Sequence, residues 1–355
     1  MRVIVSAGGT GGHIYPALAI INKIKEKDKD AKILYIGTTT RMEKDIIPSH
    51  NIDYVGLDTY GLQRKLTLKN FKAIFKYLEA IKRAKKIIKE FKPDIVIGCG
   101  GYVMAPVIYA AKKCGCKTLI HEQNSILGLS NKIMLKYTDT LCTSFKSMKI
   151  DKTNTVFTGN PQGDSVYNLV PYSKKKFGLT DDKKLVLIVM GSLGSKTVNE
   201  VLKNSLDKFS KDYEVLIVTG KNYYDSFKKI KRNSNVFIEP FIDNLNRLFT
   251  KTDLLITRAG ATTISELIGT KTPAIFVPSP YVTENHQFKN AMDLVNNNAA
   301  EIIEEKDLTV DKLVSEIDKL INDKVKLEEI KTNLGKMQVK DASEKIYNEI
   351  EKLVK

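Results

Sequence analysis

The sequence contains no long apolar run. None of its stretches approaches the roughly 18 unbroken apolar residues that are typical of a membrane span. The apolar run behind Arg2 stops at glycines after about five residues, which is too short for a secretory signal peptide. We therefore expect a protein that stays in the cytoplasm and does not cross a bilayer.

Cysteine is scarce, and its spacing does not fit a metal site. Cys114 and Cys116 flank a single glycine, a spacing that zinc sites do not use, and no histidine pair lies nearby. The other two cysteines are Cys99 and Cys142. We expect reduced structural thiols, no metal and no bound cofactor.

Two common nucleotide-binding motifs are also missing. The dinucleotide fingerprint, counted from Gly9, would need glycine at position 14, where Ile14 stands. The nearest approach to a phosphate-binding P-loop, GSLGSKT at 191–197, has Ser195 in place of the required glycine. The sequence therefore supports neither of these nucleotide-binding classes.

What the sequence does contain is strongly localised positive charge. The formal net charge is +16, and residues 63–92 hold eleven Lys or Arg against two Glu. A local charge of +9 in so short a segment indicates an anionic partner.

Short β-branched runs alternate with segments of helical periodicity along most of the chain. A length of 355 residues exceeds what one hydrophobic core usually serves. Continuous apolar strands separated by helices are typical of parallel sheets covered on both faces, so we predict two doubly wound α/β domains. Residues 158–184, rich in charge, proline and glycine, predict the linker. The predicted strands are 2–6, 32–36, 53–57, 94–98, 117–121, 139–143, 155–158, 184–190, 214–219, 235–238, 253–257, 273–277 and 300–303.

Three predicted strands end in glycine turns, at residues 6–13, 98–106 and 190–196. Strand-to-helix turns of this kind bind anions, and ligands of open α/β sheets lie at the carboxyl ends of the strands. One such turn is ordinary connection chemistry, but three favour a phosphate-bearing ligand. His13 ends the first turn, where it is either a polar surface residue or a general base, since histidine titrates near neutral pH.

Polar side chains follow three further predicted strands, in HEQN at 121–124 and in loops at 257–269 and 278–291. Ligand contact and helix capping both explain these patterns. Asn124 would cap the helix that follows it, and Glu266 would lie near a helix N-terminus, where a carboxylate is favourable. Glu266 would equally accept hydrogen bonds from ribose hydroxyls.

The motifs GGTGGH, GGYV, HEQN, GNP, FID, RAGATTISE and ENHQFKNA occur in that order and resemble those of the MurG family. The resemblance implies a GT-B fold, in which two Rossmann-like domains flank a cleft. It also implies inverting transfer of N-acetylglucosamine from its uridine diphosphate donor to the lipid-linked muramoyl-pentapeptide lipid I, which forms lipid II of peptidoglycan. The implied domains are an acceptor domain at 1–160, a donor domain at 161–338 and a C-terminal helix at 339–355 that packs back on the first domain.

Roles follow for the residues that match the family's motifs. Ile242 would bind the uracil edge through its backbone, and Asn124 and Gln287 would hold the sugar. Our candidate for the general base is His13, with Glu122 second. Backbone amides would stabilise the leaving diphosphate without metal, because the single D-x-D sequence, at 28–30, lies among lysines at a helix end. The full set of implied donor contacts is Thr10, Gly11, Gly12, Asn124, Ser192, Ile242, Arg258, Thr262, Thr263, Glu266 and Gln287.

The chain departs from the family pattern in its glycine turns and after GNP. Gly163 stands where the family usually has arginine, and Leu193 where it commonly has glutamine. Met104 and Ala105 replace a common serine and glycine. The three lysines at 174–176, or another cation, would replace the missing arginine. Otherwise the donor site lacks that charge.

We predict that the partner of the basic stretch is an anionic membrane surface. The protein would then be a peripheral enzyme at the cytoplasmic face of the plasma membrane. Each basic residue near such a surface adds roughly 1 kcal/mol of attraction. An ordinary amphipathic helix, with much of its apolar face in the core, is the alternative. Nucleic acid would satisfy the charge too, but no nucleic-acid-binding motif is present, so we expect none to bind. The candidate contacts with membrane or acceptor are Ile74, Phe75, Leu78, Ile81, Lys82 and Tyr102.

Two rival functions stay open. One keeps the architecture and changes the acceptor: a transferase that forms glycolipids from a different uridine-nucleotide sugar, which HEQN together with GGTGGH argues against. The other is a non-catalytic protein that binds a nucleotide sugar or a lipid headgroup, which Gly163 and Leu193 favour. The family resemblance also allows other proteins of cell-wall synthesis or division as partners.

Overall fold

The chain forms two compact units, each built on its own parallel sheet. The computed structural model describes residues 1–61, 68–148, 150–151, 153–191 and 194–355, with the backbone alone for 68–72. One unit comprises Met1–Gln162 together with Val339–Lys355, and the other comprises Gly163–Gln338. Every predicted strand is present, with bounds that differ by at most two residues from those predicted.

The first unit contains the strands β1 (Arg2–Ser6), β2 (Lys32–Thr38), β3 (Asp53–Leu57), β4 (Ile95–Gly98), β5 (Lys117–Glu122), β6 (Thr140–Thr143) and β7 (Asn154–Phe157). All neighbours pair in parallel, in the order β3-β2-β1-β4-β5-β6-β7. The central runs of β1 and β4 are fully buried, because helices cover both faces of the sheet. The strand order reverses between β1 and β4, and this is the position at which doubly wound sheets bind ligands.

Within Met1–Gln162, the α-helices of this unit are α1 (Gly11–Lys27), α2 (Glu43–Ser49), α3 (Leu68–Phe91), α4 (Met104–Lys113) and α5 (Leu129–Met134). Helix α1 buries Ile14, Ile21 and Ile24 in the core on one face of the sheet. Helices α3 and α4 contribute to a separate core on the other face.

The outward face of α3 carries large apolar side chains. Ile74, Phe75 and Leu78 are 49%, 61% and 59% exposed. The alternative that places much of this apolar face in the core is therefore wrong for these three residues. Small side chains let α3 lie against the core instead, and from residue 73 onward its buried positions are Ala73, Ala80, Ala84 and Ile88.

The second unit repeats the same design. Its strands are β8 (Lys184–Val189), β9 (Tyr213–Val218), β10 (Val236–Glu239), β11 (Leu254–Thr257), β12 (Ala274–Phe276) and β13 (Glu301–Ile302). Their order is β10-β9-β8-β11-β12-β13, so the switch point lies between β8 and β11. Its helices are α6 (Lys196–Lys203), α7 (Ala261–Thr270), α8 (His286–Val295), α9 (Val310–Asn322) and α10 (Lys324–Met337).

The last helix, α11 (Ala342–Val354), belongs to the first unit and packs against α1. Its side chains Ile346 and Ile350 are completely buried in the α1 core. Full burial of an isoleucine side chain contributes about 1.5–3 kcal/mol, so these two residues hold the chain's end on this unit. Within the described part of the chain, no helix has the length and apolar character needed to cross a membrane.

Candidate active site

The glycine turn between β1 and α1 holds the imidazole of His13 in a defined orientation. Its Nδ1 lies 3.0 Å from the carbonyl oxygen of Gly8 and 3.5 Å from Oγ1 of Thr10. Because a carbonyl oxygen only accepts hydrogen bonds, Nδ1 carries the proton in this contact. The neutral ring therefore has its lone pair on Nε2, the atom that a general base uses.

The second glycine turn, after β4, packs directly against this imidazole. Gly100 has φ +99°, and a Cβ at this position would lie 2.6 Å from Cδ2 and 3.0 Å from Nε2 of His13. A Cβ on Gly101 would lie 2.3 Å from the Gly8 carbonyl oxygen that orients the ring. The glycines of this turn thus make room for the histidine of the first turn. The two turns meet at the switch point of the sheet.

The HEQN segment at the end of β5 is mostly structural. Glu122 is 1% exposed, and its carboxylate accepts hydrogen bonds from Asn124 N, Asn124 Nδ2, Gly128 N and Asn131 Nδ2 at 2.7–3.1 Å. This burial and these four hydrogen bonds argue against Glu122 as the base and give its carboxylate a structural role in the loop. Asn124 does not cap α5 either, because the helix begins at Leu129 with Gly128 as its N-cap and has no side-chain capping bond.

His121 and Gln123 lock the neighbouring strands together. Burial lowers the pKa of His121 to about 4, so its ring is neutral. Its Nε2 lies 3.2 Å from the carbonyl oxygen of Gly159, and its Nδ1 accepts from Gln123 Nε2 at 3.0 Å. Among the four polar residues of this segment, Asn124 is the one that is not fully buried.

In the second unit, a cavity of about 650 Å³ lies at the switch point between β8 and β11. This volume is within the range of small-molecule sites, roughly 300–1,000 Å³. The cavity brings together three of the predicted donor contacts, Arg258, Thr263 and Gln287. Ile242, Thr262 and Glu266 are not among the residues that line it. The other described residues that line it are Met190, Gly191, Gly194, Ser195, Lys196, Thr197, Thr257, Gly260, Ser279 and Tyr281.

Arg258 is largely committed to holding the cavity wall. Its guanidinium donates to Ser195 Oγ and to the Val277 carbonyl oxygen, both at 2.8 Å, and forms a buried ion pair with Glu305. The two charged side chains are 12% and 4% exposed. Arg258 therefore ties together the loops after β8, β11 and β12, and its predicted role as a donor contact is at least partly a structural one.

Two amide side chains of α8 hold neighbouring loops in place, Gln287 the loop after β12 and Asn290 the loop after β11. Gln287 is also the residue that the sequence predicts to hold the sugar. Gln287 Oε1 accepts a hydrogen bond from Ser279 N at 2.9 Å, and no partner of its Nε2 is present among the described residues. The fully buried Asn290 donates to the carbonyl oxygen of Ala259 at 3.2 Å. Gln287 is thus held at the cavity with donor capacity left on its amide nitrogen.

Glu266 lies in the second turn of α7, not at the helix N-terminus, so the capping interpretation is wrong. Its Oε1 accepts a hydrogen bond from Asn246 Nδ2 at 2.9 Å. Burial raises the pKa of Glu266 to about 7. In the FID segment, neither the N–H nor the C=O of Ile242 has a partner within the described part of the chain.

The lysines offered as a replacement for the arginine absent at Gly163 are engaged elsewhere. Lys174 is buried and donates to the Lys183 carbonyl oxygen, Lys175 pairs with Asp181, and Lys176 lies over the ring of Tyr172. Lys196, at the first residue of α6, lines the cavity instead. The predicted contact Ser192 and the departure Leu193 lie outside the described residues.

The remaining predicted positions fall as follows. Lys82 is exposed on α3, while Ile81 on that helix and Tyr102 after the second glycine turn are half-buried. Gly12 is exposed and Gly11 half-buried at the start of α1. The D-x-D sequence, at 28–30, directly follows the C-terminus of α1, and Asp28 Oδ1 accepts a hydrogen bond from Asp30 N at 3.0 Å. The four thiols are free, as expected.

Sequence patterns missed two buried carboxylates, and the first is Glu43. It follows β2, and its carboxylate contacts the first glycine turn, with a hydrogen bond from Gly9 N to Oε2 at 3.2 Å. The signal was the segment GTTTRMEKD, a polar loop at the carboxyl end of a predicted strand. Glu305 was missed as well, since it lies 47 positions beyond its partner Arg258.

Comparison with known proteins defines the class to which this fold and site belong. The glycosyltransferase family 28 N-terminal domain matches residues 3–143, and the glycosyltransferase family 28 C-terminal domain matches residues 185–346. Two Rossmann-like parallel-sheet domains of this kind make up the GT-B fold, so the predicted fold class is confirmed. The class is that of the family 28 glycosyltransferases.

Full-length relatives narrow the class. The chain is 42% identical over 363 aligned positions to a protein of Bacillus thuringiensis (strain Al Hakam) named UDP-N-acetylglucosamine--N-acetylmuramyl-(pentapeptide) pyrophosphoryl-undecaprenol N-acetylglucosamine transferase 2, and 100% of each chain is covered. A Bacillus licheniformis protein with the same name, without the number, is also 42% identical over 99% of each chain. The crystal structure of Acinetobacter baumannii MurG superposes with a TM-score of 0.82, at 28% identity and 99% coverage of both chains. The chain belongs to the MurG family.

Proposed function

We propose that this chain transfers N-acetylglucosamine from UDP-N-acetylglucosamine to lipid I, forming lipid II in peptidoglycan synthesis. The observation that carries the proposal is the His13 imidazole at the switch point of the first sheet, with Nε2 left as the proton acceptor. The acceptor hydroxyl attacks the anomeric carbon, its proton passes to Nε2, and the bond to the diphosphate oxygen breaks with inversion. The names of the full-length relatives support these substrates.

The second unit, in this proposal, binds the nucleotide sugar. The helices α6 and α7 begin at the cavity, where their unpaired N–H groups and dipoles favour a diphosphate. Thr262 and Thr263 stand in the first turn of α7, and Gln287 offers its amide to sugar hydroxyls. The unpartnered backbone of Ile242 suits a uracil edge, which needs one donor and one acceptor. Glu266 accepts from the ribose when it is ionised.

The exposed face of α3 is, we infer, the site at which the first unit docks on an anionic membrane surface. Transfer of Ile74, Phe75 and Leu78 into the interface would each contribute up to about 1.5–3 kcal/mol. Neighbouring lysines, Lys82 among them, add roughly 1 kcal/mol each. This arrangement makes the protein a peripheral enzyme of the cytoplasmic face.

Vesicle co-sedimentation tests the docking face. A triple substitution of Ile74, Phe75 and Leu78 by Ser is expected to abolish binding to vesicles that contain phosphatidylglycerol, while a thermal melt shows that the protein stays folded at the assay temperature. Val325→Ser is the matched control, because Val325 is an exposed apolar residue of the second unit, 83% exposed. Undiminished binding of the triple variant would exclude this face as the docking site.

Release of uridine diphosphate tests the catalytic proposal. We expect release from UDP-N-acetylglucosamine that depends on a soluble lipid I analogue and survives EDTA. His13→Ala is expected to remove turnover and leave UDP binding intact, whereas the exposed His50→Ala keeps full activity. Donor binding without release under any metal would favour a non-catalytic binding protein, and release with another lipid acceptor alone would favour a different glycolipid-forming transferase.

A further inference from the structure

One peptide group connects His13 to a buried carboxylate. The Gly8 carbonyl oxygen accepts from His13 Nδ1 at 3.0 Å. The N–H of Gly9, at the other end of the same peptide group, donates to Oε2 of Glu43 at 3.2 Å. The imidazole, the Gly8–Gly9 peptide and the carboxylate therefore form one continuous hydrogen-bonded chain.

Glu43 is held in place from the other side as well. Its Oε1 accepts from Thr38 N at 3.0 Å and from Thr38 Oγ1 at 2.7 Å, and the residue is 0% exposed. All three contacts of the carboxylate are donors, which suits its ionised form. The turn is built around it, because a Cβ on Gly8 would lie 2.4 Å from Oε1.

We propose that Glu43 is the positioning residue of the base His13 and acts on it through the Gly8–Gly9 peptide. This inference rests on the proposed function, in which His13 takes the acceptor proton. A carboxylate that accepts from the peptide N–H polarises the peptide and makes its C=O a stronger acceptor. The stronger bond keeps the Nδ1 proton directed at Gly8 and stabilises the imidazolium that forms when Nε2 is protonated.

The side chains around the hydrogen-bonded chain from His13 to Glu43 contribute few other charges. Burial and the nearby Glu43 raise the pKa of both Tyr35 on β2 and Tyr54 on β3. Burial raises the pKa of Cys99, in the glycine turn against His13, to about 12. The other titratable groups that face Tyr54 are Asp45 and Tyr102. Tyr35, Tyr54 and Cys99 thus stay neutral around neutral pH.

Glu43→Gln tests the proposal, because it keeps the shape of the side chain and removes its charge. We expect kcat to fall about 10–100-fold, by analogy with the loss found when residues that orient metal-binding histidines are replaced. Loss of the negative charge disfavours the imidazolium, so the acid limb of the pH–rate profile moves to lower pH. UDP affinity stays within about twofold, since Glu43 and the nucleotide cavity belong to different units.

Glu214→Gln is the matched control. Glu214 is a 3% exposed carboxylate of the second unit, and both of its oxygens accept from Thr180 N. Its replacement is expected to leave the acid limb unmoved. An unchanged kcat and acid limb in folded Glu43→Gln would overturn the proposal.

A second measurement uses the unmodified protein. The sequence has four histidines, so nitrogen NMR of histidine-labelled protein, assigned with His13→Gln, reports the tautomer of His13 directly. We expect the Nδ1–H form in the neutral ring, and a dominant Nε2–H form would refute the proposal. If His13→Ala keeps its turnover, the proposed base is wrong. If that variant is inactive while Glu43→Gln behaves like wild type, only the role of Glu43 is wrong.

Discussion

Gly100→Ala is the substitution that tests the geometry of the site most directly. The new methyl group would lie 2.6 Å from His13 Cδ2 and 3.0 Å from Nε2, closer than van der Waals contact allows. Either the His13 ring or the backbone of the second glycine turn must move. The turn cannot retreat, because it packs against Gly8 and accepts a hydrogen bond from Gly8 N, so we expect the ring to swing away. This displacement breaks the alignment of Nε2 without removing the imidazole.

The magnitude has two parts. An alanine at φ +99° costs about 1–2 kcal/mol of backbone strain, which corresponds to a fall of a few degrees in the melting temperature. Displacement of a reacting group by about 1 Å costs on the order of 100-fold in rate. We therefore expect turnover to fall about 100-fold in a protein that is folded at 25 °C.

Gly115→Ala separates these two effects. Gly115 also has a positive φ, +78°, but nothing lies within 4 Å of its added Cβ. It is expected to lose similar stability and no activity. The assay is acceptor-dependent UDP release, measured beside a thermal melt of each variant. Full turnover in Gly100→Ala would show that the His13 ring is not the base, or that it does not lie where the two glycine turns place it.

Three further predictions concern buried charge. Because the pKa of Glu266 is raised from 4.5 to about 7, its contribution to stability falls as pH rises through that window, so Glu266→Gln should raise the melting temperature at pH 8 and not at pH 4.5. The pKa of His121 is lowered from 6.5 to about 4, so stability should fall as pH drops through that window, and His121→Asn should lack this part of the pH dependence in denaturant titrations. Glu305→Gln leaves the charge of Arg258 buried without its partner, so the free energy of unfolding in a denaturant titration should fall by about 3–5 kcal/mol. Lys203→Met is the comparison: it breaks the ion pair with the exposed Glu200 on α6, and the free energy of unfolding should fall by less than about 1 kcal/mol.

The order of strands and helices follows from the sequence, because it depends on local patterns. Runs such as VIV at 3–5 and LVLIV at 185–189 are buried on both faces, so each is continuously apolar and is recognised without knowledge of its neighbours. The glycine turns behind them identified the carboxyl ends of the strands, where both the His13 turn and the cavity of the second unit lie. Motifs spread over most of the chain were also sufficient to recognise its family.

Local patterns could not separate ligand contacts from internal ones. Glu122 and Asn124 are polar residues behind a strand, as a binding loop requires, yet Glu122 is consumed by bonds to its own loop. Arg258 has the same ambiguity, because its partner Glu305 comes from a distant part of the chain. The Arg258–Glu305 pair depends on which strands become neighbours, and the Glu122 bonds depend on how its loop folds back, so composition encodes neither.

Tertiary structure alone decided two features that bear on function. Helical periodicity located the apolar residues of α3, but packing of its alanines against the core turned Ile74 and Phe75 outward. The parallel pairing of β1 with β2 brought Glu43 beneath the turn that carries His13. The sequence by itself determined the elements and their chemistry at each strand end. Which of those groups touch was determined by strand order and burial, since only the folded sheet makes distant residues neighbours.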